Sequence, residues 1–259
     1  MKRSTLESGT EPAWKTSWRQ VLAGCKSSLF LLDLDGTIWG DILVVLNEQF
    51  GPVDADGVKV WKRYDRAFKV DGTMTNGAHL EAEYRDLLEA KTLDELIDWL
   101  KVNHLLIPGV KDFLKTLAAS GVSPVAISNG SRQIAEPMLV HHGVQMPLVA
   151  NSLKFADDGS FARLEFVHNE DDGVRKGDLV TAAAELGYRI IGCAGDSKGD
   201  ICMAEATAKA GGLVLACGPG GLSDWCRSNE GKLVGSNDWL EFEDYGSVAH
   251  ALQARIGGR

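Results

Sequence analysis

The chain has 259 residues, of which 44% are hydrophobic and 24% charged, and a net charge of −9. That length suits one large α/β domain or one domain with a smaller insertion. The acidic balance argues against a nucleic-acid or anionic-membrane surface, which needs a basic patch, and no apolar run approaches the ~20 residues that span a bilayer.

The first segment, "MKRSTLESGTEPAWKTSWRQ", starts basic but has no apolar core, so it does not read as a secretory signal. Trp14, Trp18, Val21 and Leu22 recur at helical spacing, and residues 1–27 are expected to form a tail and a short helix packed on the main body. Apolar runs that end in Gly, Ser, Asn or Asp follow: "SLFLLDLD" (28–35), "VSPVAISNG" (122–130), "YRIIGCAGD" (188–196) and "GGLVLACG" (211–218). These read as buried parallel strands. Amphipathic patterns at "GVKDFLKTLAAS", "GDLVTAAAELG" and "GDICMAEATAKAG" read as the helices between them. Strand alternating with helix predicts an α/β fold, a doubly wound parallel sheet.

Residues 41–105 break the alternation. "VKVWKRYDRAF", "AHLEAEYRDLLEA" and "TLDELIDWLKVN" are helical patterns, the last with Thr92 and Glu95 at capping-box spacing. Some sixty residues of helix exceed a βα crossover, so 41–105 is expected to be a small α-helical cap inserted into a core of 28–40 and 106–259. "SLKFADDGSFARLEF" (152–166) reads as a β-hairpin at the sheet edge. The five cysteines form no C-x-x-C pair, which suits free thiols in a reducing cytoplasm.

Chemistry concentrates at the strand ends, where a doubly wound sheet binds its ligands. Asp33 and Asp35 close the first strand one residue apart, a costly pairing unless a cation or a shared proton relieves it. Ser128, Asn129 and Gly130 close the second. Asp196 closes "IIGCAG", with Asp200 four residues on, and Lys176 opens a helix. Alone, each has a plain structural explanation: an N-cap, a turn or a solvated lysine. Together and in order they point to one catalytic edge.

"DLDGT", then "SN", then Lys176, then "GDSKGD" resembles the four-motif signature of the haloacid dehalogenase superfamily. "IPGV", "ISNGS" and "GDSKGDICMA" are similar to its phosphoserine phosphatase-like branch, and the helical insert resembles that branch's first-type cap. The resemblance implies a Rossmann-like core and a Mg2+-dependent phosphomonoester hydrolase acting on a small phosphorylated metabolite. It implies Asp33 as nucleophile, forming an aspartyl-phosphate, and Asp35 as acid/base, its pKa raised by the neighbouring Asp33 charge. Metal binding is implied for Asp33, the backbone carbonyl of Asp35, Asp196 and Asp200, with Asp200 holding a metal-bound water or fixing Lys176. Phosphate binding is implied for Asp33, Gly36, Thr37, Ser128, Asn129, Gly130 and Lys176.

Asp35 disfavours dehalogenation, since a halide leaving group needs no protonation. Lys59, Lys62 and Lys69 leave a Schiff-base phosphonate chemistry formally open. A phosphotransferase or mutase using the same aspartyl-phosphate is the alternative enzyme reading, and a phosphoryl-accepting or inactive binding homologue the non-enzymatic one. Substrate contacts are expected from Trp39, Arg63, Tyr64, Arg66, Tyr84 and Arg85, with Trp61, His168 and Arg175 as further candidates. The sequence leaves the substrate and the oligomeric state unread.

Overall fold

A computed structural model describes residues 11–229, 239–248 and 252. Residues 1–10 of the expected tail lie outside the described residues. In chain order the elements are α1 (Ala13–Leu22), β1 (Ser28–Leu32), α2 (Ile42–Phe50), α3 (Trp61–Lys69), α4 (Asn76–Ala90), α5 (Leu93–Asn103) and α6 (Val110–Ala119). Then come β2 (Val122–Ser131), α7 (Arg132–His141), β3 (Leu148–Phe155), β4 (Phe161–Glu165), α8 (Lys176–Glu185) and β5 (Arg189–Gly195). The chain continues through α9 (Ile201–Lys209), β6 (Leu213–Cys217), α10 (Gly221–Ser228) and β7 (Trp239–Phe242).

The strands form one sheet in the order β4-β3-β2-β1-β5-β6-β7. β4 runs antiparallel to β3 and every other pair is parallel. The α/β doubly wound fold read from the sequence is therefore the fold of the chain. β1 is apolar throughout because it is covered on both faces: Phe30 and Leu32 join one hydrophobic cluster, Leu29 and Leu31 the other. The 152–166 hairpin is present at the sheet edge, with Gly159 at φ 83° in its turn. The strand leading into it starts earlier than the pattern suggested, because Leu148 and Val149 also pair in parallel with β2.

No strand of the sheet falls between β1 and α6, and helices α2–α5 occupy that span. The Thr92–Glu95 capping box forms at the start of α5. The insert is not packed on itself alone. Leu46, Leu80, Tyr84, Leu87, Leu96 and Leu100 belong to the same cluster as Phe30, Phe113 and Met138 of the sheet and its helices. α1 packs on the opposite face through Trp18 and Leu22, and the Trp18 indole N–H donates to the Leu179 carbonyl at 2.9 Å. The cysteines are free thiols, with Cys193, Cys217 and Cys226 buried. No helix among the described residues is long and apolar enough to cross a membrane.

Candidate active site

β1 lies between β2 and β5, so the chain's crossovers diverge on either side of it and leave a crevice beyond its carboxyl end. Asp33 sits there, 5% exposed, with its backbone N–H donating to the Ala194 carbonyl of β5 at 2.9 Å. Lys176, the first residue of α8, reaches in from the β4–α8 loop. Its buried ammonium donates to Asp33 Oδ1 at 2.5 Å and to Asp200 Oδ1 at 2.6 Å. Burial opposes the charge of Lys176, but Asp200 and Asp33 overcome it and hold the ammonium well above the usual lysine range. Burial, then the Asp200 charge, push the Asp33 carboxyl well above the ordinary carboxylate range, with Lys176 opposing.

Asp200 has both oxygens engaged. Oδ1 accepts from Lys176, and Oδ2 accepts from the Asp196 and Ser197 backbone N–H groups at 3.1 and 3.0 Å and from the Ser197 hydroxyl at 3.1 Å. Of its two expected roles, this geometry matches fixing Lys176. Asp196 differs: its Oδ1 is buried without a hydrogen-bond partner. Burial and the Asp200 charge raise its pKa to about 7. Carboxylate oxygens of Asp33, Asp196 and Asp200 lie within 4.8 Å of one another. Two buried acids and a half-buried one, with one lysine and an orphaned oxygen, fit a hard divalent cation.

Gly36 turns the loop after β1 at φ 75°, and a Cβ there would collide with the Asp196 carboxylate. Gly36→Ala is therefore expected to destabilise the fold by ~1–2 kcal/mol from left-handed backbone strain alone, measured by urea denaturation; an unchanged midpoint would mean that the loop relaxes freely. Thr37 is fully buried with its hydroxyl unpartnered at the same turn.

Asp35 is held asymmetrically. Oδ1 accepts the Trp39 indole N–H at 3.0 Å and the Ile42 backbone N–H at 3.3 Å, while Oδ2 faces the Ser128 hydroxyl at 3.4 Å. Two donors on Oδ1 disfavour a proton there, so a proton carried by Asp35 sits on Oδ2. Its pKa is raised to about 6, with burial the first cause and the Asp41 charge the second, and the Asp33 and Asp35 charges also oppose one another. Asp41 owes its place to a local role, since its side chain caps α2 by accepting from the Val44 N–H at 3.0 Å.

Ser128 Oγ accepts the Gly130 N–H at 2.9 Å, which folds the end of β2 toward Asp35. Asn129 has both oxygens engaged: its side-chain oxygen accepts the Val174 N–H at 2.7 Å, two residues before Lys176, and its carbonyl accepts from Asn151 at 2.8 Å. It ties β2 to the loop that carries the lysine.

A small void of about 10 Å³ lies beside Asp35. Trp39 and Tyr84 line it, as do Ile42 and Leu43 of α2 and Ser131, Ile134 and Ala135 at the start of α7. The α2 and α7 residues were not singled out from the sequence. Ser131 directly follows the strand-end "ISNG" and was readable on that ground; the apolar ones resemble any core residue. The remaining substrate candidates are not among the lining residues. Arg63 pairs with Asp54 and Asp56, Arg66 with Asp71, and Arg85 with Glu81, all with exposed guanidinium side chains. Tyr64 lies against Asp86. Trp61 has its ring beside Lys62. His168 packs against Trp14 in a tilted contact with centroids 4.6 Å apart, and Arg175 pairs with Asp178 at 3.2 Å. Lys59 donates to the Gly51 carbonyl, Lys62 pairs with Glu48 and Lys69 with Asp65, so none is an isolated buried amine.

A sequence model of the haloacid dehalogenase-like hydrolases matches residues 30–205. No curated protein matches the chain in sequence. Among solved structures, a phosphoserine phosphatase with a phospho-aspartyl intermediate analogue is similar at 16% identity and TM-score 0.59, over 87% of this chain and 98% of its own. A probable phosphoserine phosphatase from Vibrio cholerae is similar at 15% identity and TM-score 0.61, over 90% of this chain and 67% of its own. A cytosolic 5'-nucleotidase IIIB bound to cytidine is similar at 16% identity and TM-score 0.54, over 93% and 90%. At these identities the likeness is one of fold.

Proposed function

The chain belongs to the haloacid dehalogenase-like hydrolases, and from that premise we propose that it is a magnesium-dependent phosphomonoesterase working through an aspartyl-phosphate on Asp33. The observation that carries this reading is the buried constellation at the end of β1: Asp33 held by Lys176 at 2.5 Å, with Asp35 oriented by Trp39 and Ile42.

In the first step the Asp33 carboxylate attacks phosphorus and the ester oxygen departs. Lys176 steers Asp33 and offsets charge on the phosphoryl oxygens, assisted by the Ser128 hydroxyl, the Thr37 hydroxyl and backbone N–H groups around Gly36. Asp35 delivers the Oδ2 proton to the departing oxygen. In the second step the same carboxylate, now unprotonated, takes a proton from the water that attacks the aspartyl-phosphate, and inorganic phosphate leaves. Asp33, Asp196 and the backbone carbonyl of Asp35 would hold Mg2+, which when bound neutralises the carboxylate cluster and polarises the phosphoryl group. Asp200 acts as a positioning residue through Lys176 and the 196–197 backbone.

We further propose that 41–105 serves as a cap over this edge, within a core formed by 28–40 and 106–259. Tyr84 of α4 supports that reading: its hydroxyl oxygen accepts the Ser131 N–H at 2.8 Å across the void. A cytoplasmic setting agrees with the free thiols.

The test is turnover of a panel of phosphorylated metabolites and para-nitrophenyl phosphate with Mg2+ present and after chelation. Activity is expected with Mg2+, falling by at least about a hundredfold in chelator and returning on Mg2+ addition, since metal neutralisation is worth several kcal/mol of transition-state charge. Undiminished turnover in chelator would remove the metal from the mechanism.

A further inference from the structure

Resting on the phosphomonoesterase reading, we propose that His104 is a positioning residue for proton transfer by Asp35: its imidazole clamps the Gly40 carbonyl and so fixes the segment whose two donors hold Asp35 Oδ1.

That segment is the entry to the helical insert, and the exit runs beside it. Trp39 and Leu106 pair as an antiparallel bridge, and the Ile38 carbonyl accepts the Ile107 N–H at 2.8 Å. The Trp39 indole and the Ile42 N–H reach Asp35 from this entry. Between them lie Gly40 and Asp41, both exposed, and Gly40 has no side chain with which to anchor the turn. The anchor comes from the far end of the insert: His104 Nε2 stands 2.9 Å from the Gly40 carbonyl, 64 residues away in the chain. His104 follows α5 directly, is 6% exposed, and its own backbone N–H donates to the Leu100 carbonyl at 2.8 Å. Burial lowers its pKa, with the Gly40 carbonyl and the Asp41 charge opposing, so the ring is neutral near neutral pH. A carbonyl only accepts, so the ring proton sits on Nε2 and points at Gly40. Loss of this bond frees the entry segment. A shift of about 1 Å takes the Trp39 indole, now 3.0 Å from Oδ1, out of hydrogen-bond range. Oδ1 then competes for the proton, and Oδ2 loses its aim.

The experiment follows para-nitrophenyl phosphate with Mg2+ in the parent, His104→Leu and His104→Gln, with melting curves as the control for folding. Nitrophenolate departs without a proton, so its release in a single turnover reads the first step without help from Asp35. Decay of the phosphorylated enzyme in rapid quench reads the second step, which needs Asp35 as base. In His104→Leu, release should stay within about threefold of the parent while decay slows by about tenfold or more, because small misplacements of a catalytic group carry large rate costs. A glutamine amide carries an N–H to the reach of Nε2, so His104→Gln should restore decay to within about threefold. Gly40→Val covers the case in which His104→Leu does not fold. A Cβ at position 40 would come to 3.2 Å from His104 Cε1, so the branched side chain presses the ring off the carbonyl, and the same split is expected. Parental decay in folded His104→Leu or Gly40→Val, release slowed as much as decay, or a glutamine variant no faster than the leucine one would each overturn the clamp and leave the phosphatase reading standing. A parent that does not turn over para-nitrophenyl phosphate with Mg2+ would overturn the phosphatase reading and the clamp with it.

Discussion

Asp33→Asn should abolish turnover, lowering kcat by roughly 10^4-fold or more, while the protein stays folded. The loss is large because the substitution removes the atom that forms the bond to phosphorus; positioning by Lys176 and Ser128 then has nothing to position. The fold should tolerate the change. An amide has nearly the shape of the carboxylate, its oxygen can still accept from Lys176, and the Lys176–Asp200 pair at 2.6 Å remains. Burial and Asp200 already make a negative charge at position 33 expensive, so loss of that charge need not cost stability. A melting temperature within about 4 °C of the parent, a shift worth ~1 kcal/mol at this size, is the expected control. A folded Asp33→Asn protein that still turned over substrate would rule out the covalent route.

The chemistry-bearing residues were legible because they obey a simple geometric rule: strands buried on both faces read as apolar runs, and their carboxyl ends face the crevice. Asp33, Asp35, Ser128 and Asp196 are positioned by that rule, and Lys176 by its place at a helix start. What escaped the sequence depends on contacts that only the folded chain sets, some between near neighbours and some across the chain. The Asp33–Asp35 spacing predicts a raised Asp35 pKa, but the leading causes, burial and the Asp41 charge, depend on the fold. The arginines of α3 and α4 read as substrate contacts, but acids close to them in the chain (Asp54, Asp56, Asp71 and Glu81) claim them first. Asn129 read as a phosphate donor, and its use as a strap to Val174 needed the loop geometry. The insert read as a small helical cap, and how far it shares the main core was not visible in its pattern. Its Leu46, Leu96 and Leu100 share a cluster with Phe113 and Met138, so excising residues 45–102 would bare part of the main core.

Asp35→Asn should divide the two chemical steps. General acid–base groups contribute on the order of 10^2–10^4-fold, and the loss should depend on the leaving group. An alkoxide needs a proton as it departs, so alkyl phosphates should lose rate in the first step by most of that range. Nitrophenolate is a weak base and departs without help, so the first step on para-nitrophenyl phosphate should change little. The second step needs Asp35 to take a proton from water whatever the first alcohol was. The variant should therefore show a burst of nitrophenol followed by slow turnover, with phosphorylated enzyme accumulating. The amide should keep the site's geometry: its oxygen can accept from Trp39 and Ile42 as Oδ1 does, and its NH2 can donate to the Ser128 oxygen across the present 3.4 Å gap. Rapid-quench measurement of the phosphorylated enzyme, alongside single-turnover rates for alkyl and nitrophenyl esters, reads both consequences. Equal losses for the two esters with no phosphoenzyme build-up would mean that Asp35 shapes the site without moving the proton. Trp39→Phe offers an independent check, since it removes one donor from Oδ1 and frees that oxygen to carry the proton on the wrong side. The alkyl phosphate rate should then fall more than the nitrophenyl phosphate rate, in the same direction as Asp35→Asn but by a smaller factor.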